Sequence, residues 1–292
     1  MDSSEVQQTS MNFKLYAVLV ADSILIYDHM ATITDEITFI WCRPKALSAI
    51  LFLVNRYVAL LGNVYMLSVY LLPSSDESCQ KYLMSRDLLF FVQQILVCLI
   101  LTIRTYALYC RSKRLLTWMI IVIFAFGGVT AGTFGLHSSI VVPGFTHCYE
   151  SYSEEIAISP GLGWVTLLVY ELLIFGLTIC RICKTRGLSL ATSRRNMLDI
   201  IFQDGAMYFA VMTLANLPNI LTYYCGSNTT RGSLATFTSC MSVTLISRLM
   251  LNLHKSVDAG IFTTPVRDDD YDSTVLTTRV NVQSAIPSCD CY

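Results

Sequence analysis

Seven ionisable side chains lie inside long apolar stretches of this chain: Asp22, Asp28, Arg56, Arg104, Glu171, Asp204 and Arg248. In hydrocarbon each costs roughly 2.5 to 3.5 kcal/mol on insertion scales, so such groups turn inward and find a counter-charge, a polar path or water. The chemistry open to carboxylates and guanidinium groups at shared depths is ion pairing, proton relay or passage of a polar solute. Arginine keeps its proton at any accessible pH, so the three arginines dictate where anions must be. At a rise of ~1.5 Å per residue, Asp22, Arg56 and Glu171 fall near the middle of the layer. Asp28, Arg104, Asp204 and Arg248 fall within roughly 5 to 9 Å of one face. The expectation is that Arg56 is held by carboxylates of neighbouring helices, Asp22 first and Glu171 second, with structural pairing outweighing catalysis or transport.

Other site chemistries find no support in the residues. His29 and His254 fall at one side of the layer, and His137 and His147 at the other. A catalytic zinc site needs three converging protein ligands, which that split denies, and bis-histidine haem ligation fails for the same reason. The last apolar segment has no lysine before Lys255 for a Schiff base, and no phosphate-cradling loop or nucleophile elbow occurs. No catalytic, cofactor-binding or metal residue is assigned, and the expectation is a protein that is not an enzyme and carries no cofactor.

The elements that must position the charges follow from composition. Of 292 residues, 54% are hydrophobic and only 14% charged, against about 25% charged in an ordinary globular chain. Twenty Lys and Arg against 21 Asp and Glu leave a formal charge of −1, which offers no field for nucleic acid. The bilayer is the expected partner. A spanning helix needs about 20 mostly apolar residues, and seven such windows occur, at 13–33, 46–72, 87–109, 115–142, 161–180, 198–224 and 232–253. The fold class expected is an all-α integral membrane protein, a seven-transmembrane-helix bundle. Residues 1–12 read as an extracellular tail, 13–255 as the membrane domain and 256–292 as a disordered cytoplasmic tail. The acidic start, Asp2 and Glu5, argues against a cleaved signal peptide.

Basic residues set the orientation, because Lys and Arg in short links stay on the cytoplasmic side. Eleven (Arg43, Lys45, Arg111, Lys113, Arg114, Arg181, Lys184, Arg186, Arg194, Arg195 and Lys255) fall at one end of the layer, and four (Lys14, Lys81, Arg86 and Arg231) at the other. The amino end is therefore expected outside and the carboxyl end inside. On the outer side lie Cys79 and Cys148, a candidate disulfide, and Asn228 in Asn228-Thr229-Thr230, the candidate glycosylation site. Pro218 is a candidate helix kink, since it removes a backbone hydrogen bond. Gly127, Gly128, Ala131, Gly132 and Gly135 have the small-xxx-small spacing that lets a neighbouring helix approach, within the bundle or, as the sharper reading, in a homodimer. Tyr65, Tyr70, Tyr82, Tyr149, Tyr152, Trp164, Tyr223 and Tyr224 read as an interfacial belt. Cys180, Cys183, Cys289 and Cys291 are candidates for S-acylation, and the ending Cys289-Asp290-Cys291-Tyr292 lacks the aliphatic pair of a prenylation box.

The stretch ILIYDHMATITDEITFIW (24–41), followed by LFLVNRY (51–57), closely resembles the amino-terminal signature of fungal membrane proteins grouped as domain of unknown function 6533. Tyr27-Asp28, Thr34, Glu36, Ile40-Trp41 and Asn55-Arg56-Tyr57 carry the likeness, over about 16–62. Cys42 stands where such proteins usually have a basic residue. The segments TIRTYALYCRSKR and SRLMLNL look like helix endings of related seven-helix proteins. The resemblance implies the bundle but no activity, since that family is uncharacterised. The leading expectation is a receptor-like sensor of an extracellular or lipid ligand, with a cytoplasmic partner at the basic link 181–195, in the plasma membrane or the endomembrane system. The alternatives are a small-solute or proton transporter working through the intramembrane charges, and a non-signalling structural membrane protein.

Overall fold

The computed structural model describes residues 3–41, 47–71, 76–135, 140–141, 150–151, 154–187 and 194–262. They form seven α-helices: α1 (Ser3–Glu36), α2 (Leu47–Leu71), α3 (Asp76–Leu108), α4 (Lys113–Gly135), α5 (Glu154–Gly187), α6 (Arg194–Cys225) and α7 (Ala235–Phe262). A π-helical turn, Ile37–Trp41, extends α1, and a two-residue antiparallel pair, Ile140–Val141 with Glu150–Ser151, lies between α4 and α5.

Five of the helices are long and apolar enough to cross a membrane: Gln8–Trp41, Leu47–Leu71, Ser78–Leu108, Lys113–Gly132 and Ala157–Arg181. Helices α1, α3 and α5 run past their sequence windows, because backbone hydrogen bonding continues into polar ends that a hydropathy threshold truncates, whereas α2 lies within its window and α4 ends short of its own. Helix α1 begins at Ser3 rather than Phe13, and α7 continues to Phe262, so 256–262 are helical rather than part of a tail. Residues 263–292 lie outside the described residues.

Position in the bundle explains the different character of α7. It packs against α1, α2, α3 and α6, while α3 touches α2, α4, α5 and α7, so these two form the centre. Surrounded by protein, α7 buries a polar run, Thr238, Ser239, Ser242, Thr244 and Ser247, instead of presenting a continuous apolar surface. Helix α4 is the opposite case. Among the described residues it packs chiefly on α3 and α5, and Trp118 and Phe124 stay 70% and 76% exposed, as lipid-facing residues should.

Side-chain pairs show neighbouring directions. Asp22 meets Cys240 and Asp28 meets Arg248, so α1 and α7 run parallel. Thr102 meets Tyr170 and Tyr109 meets Leu177, so α3 and α5 do as well, while Thr238 with Ala215 and Tyr208 with Asn252 make α6 antiparallel to α7. The tight α3–α4 turn needs two left-handed residues, Cys110 and Arg111 at φ 53° and 58°. The α6–α7 turn uses Gly232 at φ +69°, where a Cβ would lie 2.8 Å from the Tyr223 hydroxyl oxygen.

Two sequence expectations are corrected by the packing. An added Cβ at Gly127, Gly128 or Gly132 would meet no atom within 4 Å, so among the described residues no neighbouring helix packs closely on these three glycines of α4. Tyr70, Tyr82, Trp164 and Tyr223 are buried core residues rather than members of a belt, Tyr65 and Tyr224 are exposed, and Tyr149 and Tyr152 lie outside the described residues. Their rings pack in pairs, as with Tyr70 on Tyr82 (6.1 Å) and Trp164 on Phe90 (6.4 Å), an arrangement hydropathy does not reveal.

Candidate functional site

Three groups of polar side chains occupy the bundle. The first ties α1 to α2 around Arg56, which is only 3% exposed. Its Nε donates to His29 Nδ1 (2.8 Å), and its Nη2 donates to the His29 carbonyl (2.9 Å) and to Thr32 Oγ1 (2.7 Å). Glu36, fully buried, supplies the counter-charge with Oε2 2.9 Å from Arg56 Nε. That approach is an ion contact, since the Nε hydrogen is directed to His29. The other carboxylate oxygen, Oε1, accepts from Tyr57 Oη and from Trp41 Nε1, both at 3.0 Å. The π-turn makes the second bond feasible, because its five-residue spacing brings Trp41 back over Glu36.

This geometry corrects the expected pairing of Arg56 with Asp22 and Glu171. In a helix the Cα–Cβ bonds tilt toward the N-terminus, so a long side chain on α2 reaches back toward the start of that helix. That end faces the last turn of α1, where Glu36 sits, whereas Asp22 lies about four helical turns back along α1. Sequence reading placed Glu36 outside the first window and left His29 off the charge network. The spacing of Asp22, Leu25, His29, Thr32 and Glu36, alternating three and four residues, was the available signal, because it sets all five on one helix face.

Asp28 does reach a cation: it accepts from Arg248 Nε of α7 at 2.5 Å, with Asp28 4% and Arg248 44% exposed at the side chain. Arg104 lies over the Phe209 ring at 5.7 Å, and its Nη1 is buried without a hydrogen-bond partner among the described residues. The side chain of Asp204, the anion expected at that depth, lies outside the described residues.

The second group is central and lacks cations. Asp22 (3% exposed) has Cys240 Sγ at 4.0 Å, and Glu171 (1% exposed) accepts a long bond, 3.4 Å, from Asn216 Nδ2. Neither makes an ion pair among the described residues. Nearby, Ser239 donates to Gln93 Oε1 and accepts from Gln94 Nε2 at 3.4 Å. Pro218 sits inside a continuous α6. A proline cannot donate and crowds the carbonyls one turn back, and here Thr238 Oγ1 of α7 donates to the Ala215 carbonyl at 3.1 Å.

The third group is a cavity of about 120 Å³ between α3, α4 and α5. Phe90, Phe91, Phe126, Trp164 and Leu167 make its wall apolar, Gly127 and Gly163 leave it room, and Asp87, Gln94, Cys98 and Tyr170 give it polar points. Tyr170 Oη is 2.5 Å from Thr102 Oγ1; the threonine already donates to the Cys98 carbonyl (2.6 Å), so the tyrosine is the donor. Among the described residues no group of His, Cys, Asp and Glu has metal-binding spacing.

Of the remaining expected residues, Cys79 is buried near the start of α3, and Cys148 lies outside the described residues. Asn228 is exposed in the α6–α7 turn, where its Oδ1 accepts from Arg231 Nη1 at 3.0 Å. Cys180 and Cys183 are free and exposed at the end of α5, while Cys289 and Cys291 lie outside the described residues.

Apolar helices of this length, tied by a buried Arg56–Glu36 ion pair and a half-buried Asp28–Arg248 pair, define a membrane-embedded helix bundle. Within it, residues 16–61 match a family of unknown function (DUF6533), which supports membership of that family. The matched segment holds every member of the Arg56 cluster, so the family signature coincides with the α1–α2 tie. No curated protein matches the chain.

Proposed function

We propose that the chain is a receptor-like sensor that takes a slender apolar ligand, such as a lipid chain, between α3, α4 and α5, and is neither an enzyme nor a cofactor carrier. The observation that carries this reading is the apolar cavity with polar points at Asp87, Gln94, Cys98 and Tyr170, the pattern of a ligand site. The basic-residue count assigns it to the outer half, with the amino end outside and seven spanning helices. Helix α5 supports the sensing step, since it lines the cavity from Pro160 to Tyr170 and continues to Cys180 and Cys183 and the basic link 181–195, the expected contact for an acidic cytoplasmic partner. The Arg56 and Asp28 pairs fasten the opposite half, which favours a sensor over an open path. A plasma or endomembrane location is part of the same proposal.

The test uses a photoactivatable C16 fatty acid on the full chain in lipid nanodiscs. Labelling of α3 and α4 should saturate, be competed by unlabelled fatty acid, disappear in Gly127→Phe, and change the alkylation rate of Cys180. Uncompeted labelling with no change at Cys180 would mean ordinary lipid contact and would overturn the proposal. The transporter reading is favoured by one observation, the cation-free carboxylates Asp22 and Glu171 in the bundle centre. Solute or proton flux in proteoliposomes that is lost in Glu171→Gln would put it first.

A further inference from the structure

A second, smaller cavity lies at the junction of α1, α2 and α7, with a volume of about 10 Å³. That is the space of about one water. Leu25, Leu60 and Val243 form its apolar wall, and its polar wall includes Arg56, Thr244 and Ser247. These three residues are 3%, 6% and 2% exposed, and Arg56 Nη1, Thr244 Oγ1 and Ser247 Oγ are buried without a hydrogen-bond partner among the described residues.

Neither hydroxyl takes the local bond that a helix offers it. Buried threonines elsewhere satisfy themselves on the carbonyl four residues back, as Thr102 does at 2.6 Å, Thr105 at 2.9 Å and Thr178 at 2.8 Å. Thr244 and Ser247 make no such bond, which leaves both hydroxyls available on the cavity wall. A buried N–H of a guanidinium left unmet is costly, and more so in a low dielectric.

Charge decides what kind of group fits. Asp28 and Glu36 balance Arg248 and Arg56 around the junction. An added anion or cation would carry a net charge into the bundle, whereas a neutral donor–acceptor would not. We infer that the α1–α2–α7 junction is a binding site for a single water, which accepts from Arg56 Nη1 and bonds the hydroxyls of Thr244 and Ser247. The site joins α7 to the α1–α2 tie, and it completes the coordination of the one arginine at the heart of the family signature.

The experiment combines two readouts on the full chain in detergent. Brief X-ray radiolysis after equilibration in ¹⁸O-water should place ¹⁸O on Val243 or Leu25, which bulk solvent does not reach, and Ser247→Val should abolish that label. The same substitution should lower the midpoint of thermal unfolding by about 3 °C or more, because valine displaces the water and strands the guanidinium. In a dry cavity the added methyl groups would fill space and raise the midpoint. A raised midpoint, or absence of ¹⁸O at both residues in the unsubstituted protein, would overturn the inference even if the variant folded poorly.

Discussion

Arg56 shows how much a single side chain can organise when it cannot shed its charge. Three hydrogen bonds to His29 and Thr32 and the carboxylate of Glu36, all on α1, surround it, and removal of that carboxylate alone would leave a buried cation. Breaking such a pair typically costs ~3 to 5 kcal/mol, while replacing both members by apolar residues is often near neutral. Glu36→Leu and Arg56→Leu should each lower the thermal midpoint in detergent, and the double variant should recover part of the loss. Asp22→Leu combined with Arg56→Leu should instead give additive losses, because no contact joins them. Coupling between Asp22 and Arg56 in that cycle would refute the observed pairing. The second ion pair is asymmetric, with Asp28 buried and Arg248 half exposed. Arg248→Leu strands a buried carboxylate, whereas Asp28→Leu frees an arginine whose stem can carry its head toward the headgroups. The first variant should therefore lose more stability than the second, as read from the two thermal midpoints.

At the scale of elements, helix number was legible in the sequence and helix register was not. Apolar runs of about 20 residues mark where chain must cross lipid, and each of the seven windows overlaps one helix, although the fourth runs on past α4 to Ile140–Val141. Hydropathy says little about which faces meet, because lipid and protein neighbours are equally apolar. Tyr70 and Trp164 therefore read as belt residues and proved to be core, and Gly127 read as a packing notch and proved to open a cavity. The proline in α6 was legible, but its partner was not, since Thr238 lies 20 residues further along the chain on the next helix. A threonine that caps a carbonyl displaced by proline should matter only while the proline is there. Thr238→Val should cost about 0.6 to 1.7 kcal/mol, the range of inter-helix hydrogen bonds in membranes. In a Pro218→Ala background, where the helix can recover its own hydrogen bond, the same change should cost less. Equal costs in both backgrounds, measured by unfolding in mixed micelles, would show that the Thr238 bond is independent of the proline.

For the whole molecule, polarity varies with depth: the ion pairs of Arg56 and Arg248 toward the basic end, uncharged amides and two carboxylates at the centre, and toward the other end the apolar cavity, with the Arg86–Asp87 pair beside it. Orientation in the membrane then decides which end receives a ligand. Eleven basic residues in the links at one end against four at the other predict that end to be cytoplasmic. A tag before Met1 should bind antibody on intact cells, and a tag after Tyr292 only after permeabilisation. The outer cysteines offer a chemical check that needs no tag. Cys79 is buried at the start of α3, on the side that this orientation exposes to an oxidising compartment, where disulfides persist. A bridge to Cys148 would fix the link between α4 and α5 beside the mouth of the cavity, limiting how far α4 can swing from α3. Peptide mapping without reduction should recover the two cysteines as one linked species, and recovery of both as separate alkylated peptides would exclude the bridge. Reversed tag accessibility would put the same cysteines in a reducing compartment and turn the cavity toward the cytoplasm. The sensor reading would then lose its outer ligand, while the two ion pairs, which depend only on contacts within the bundle, would stand unchanged.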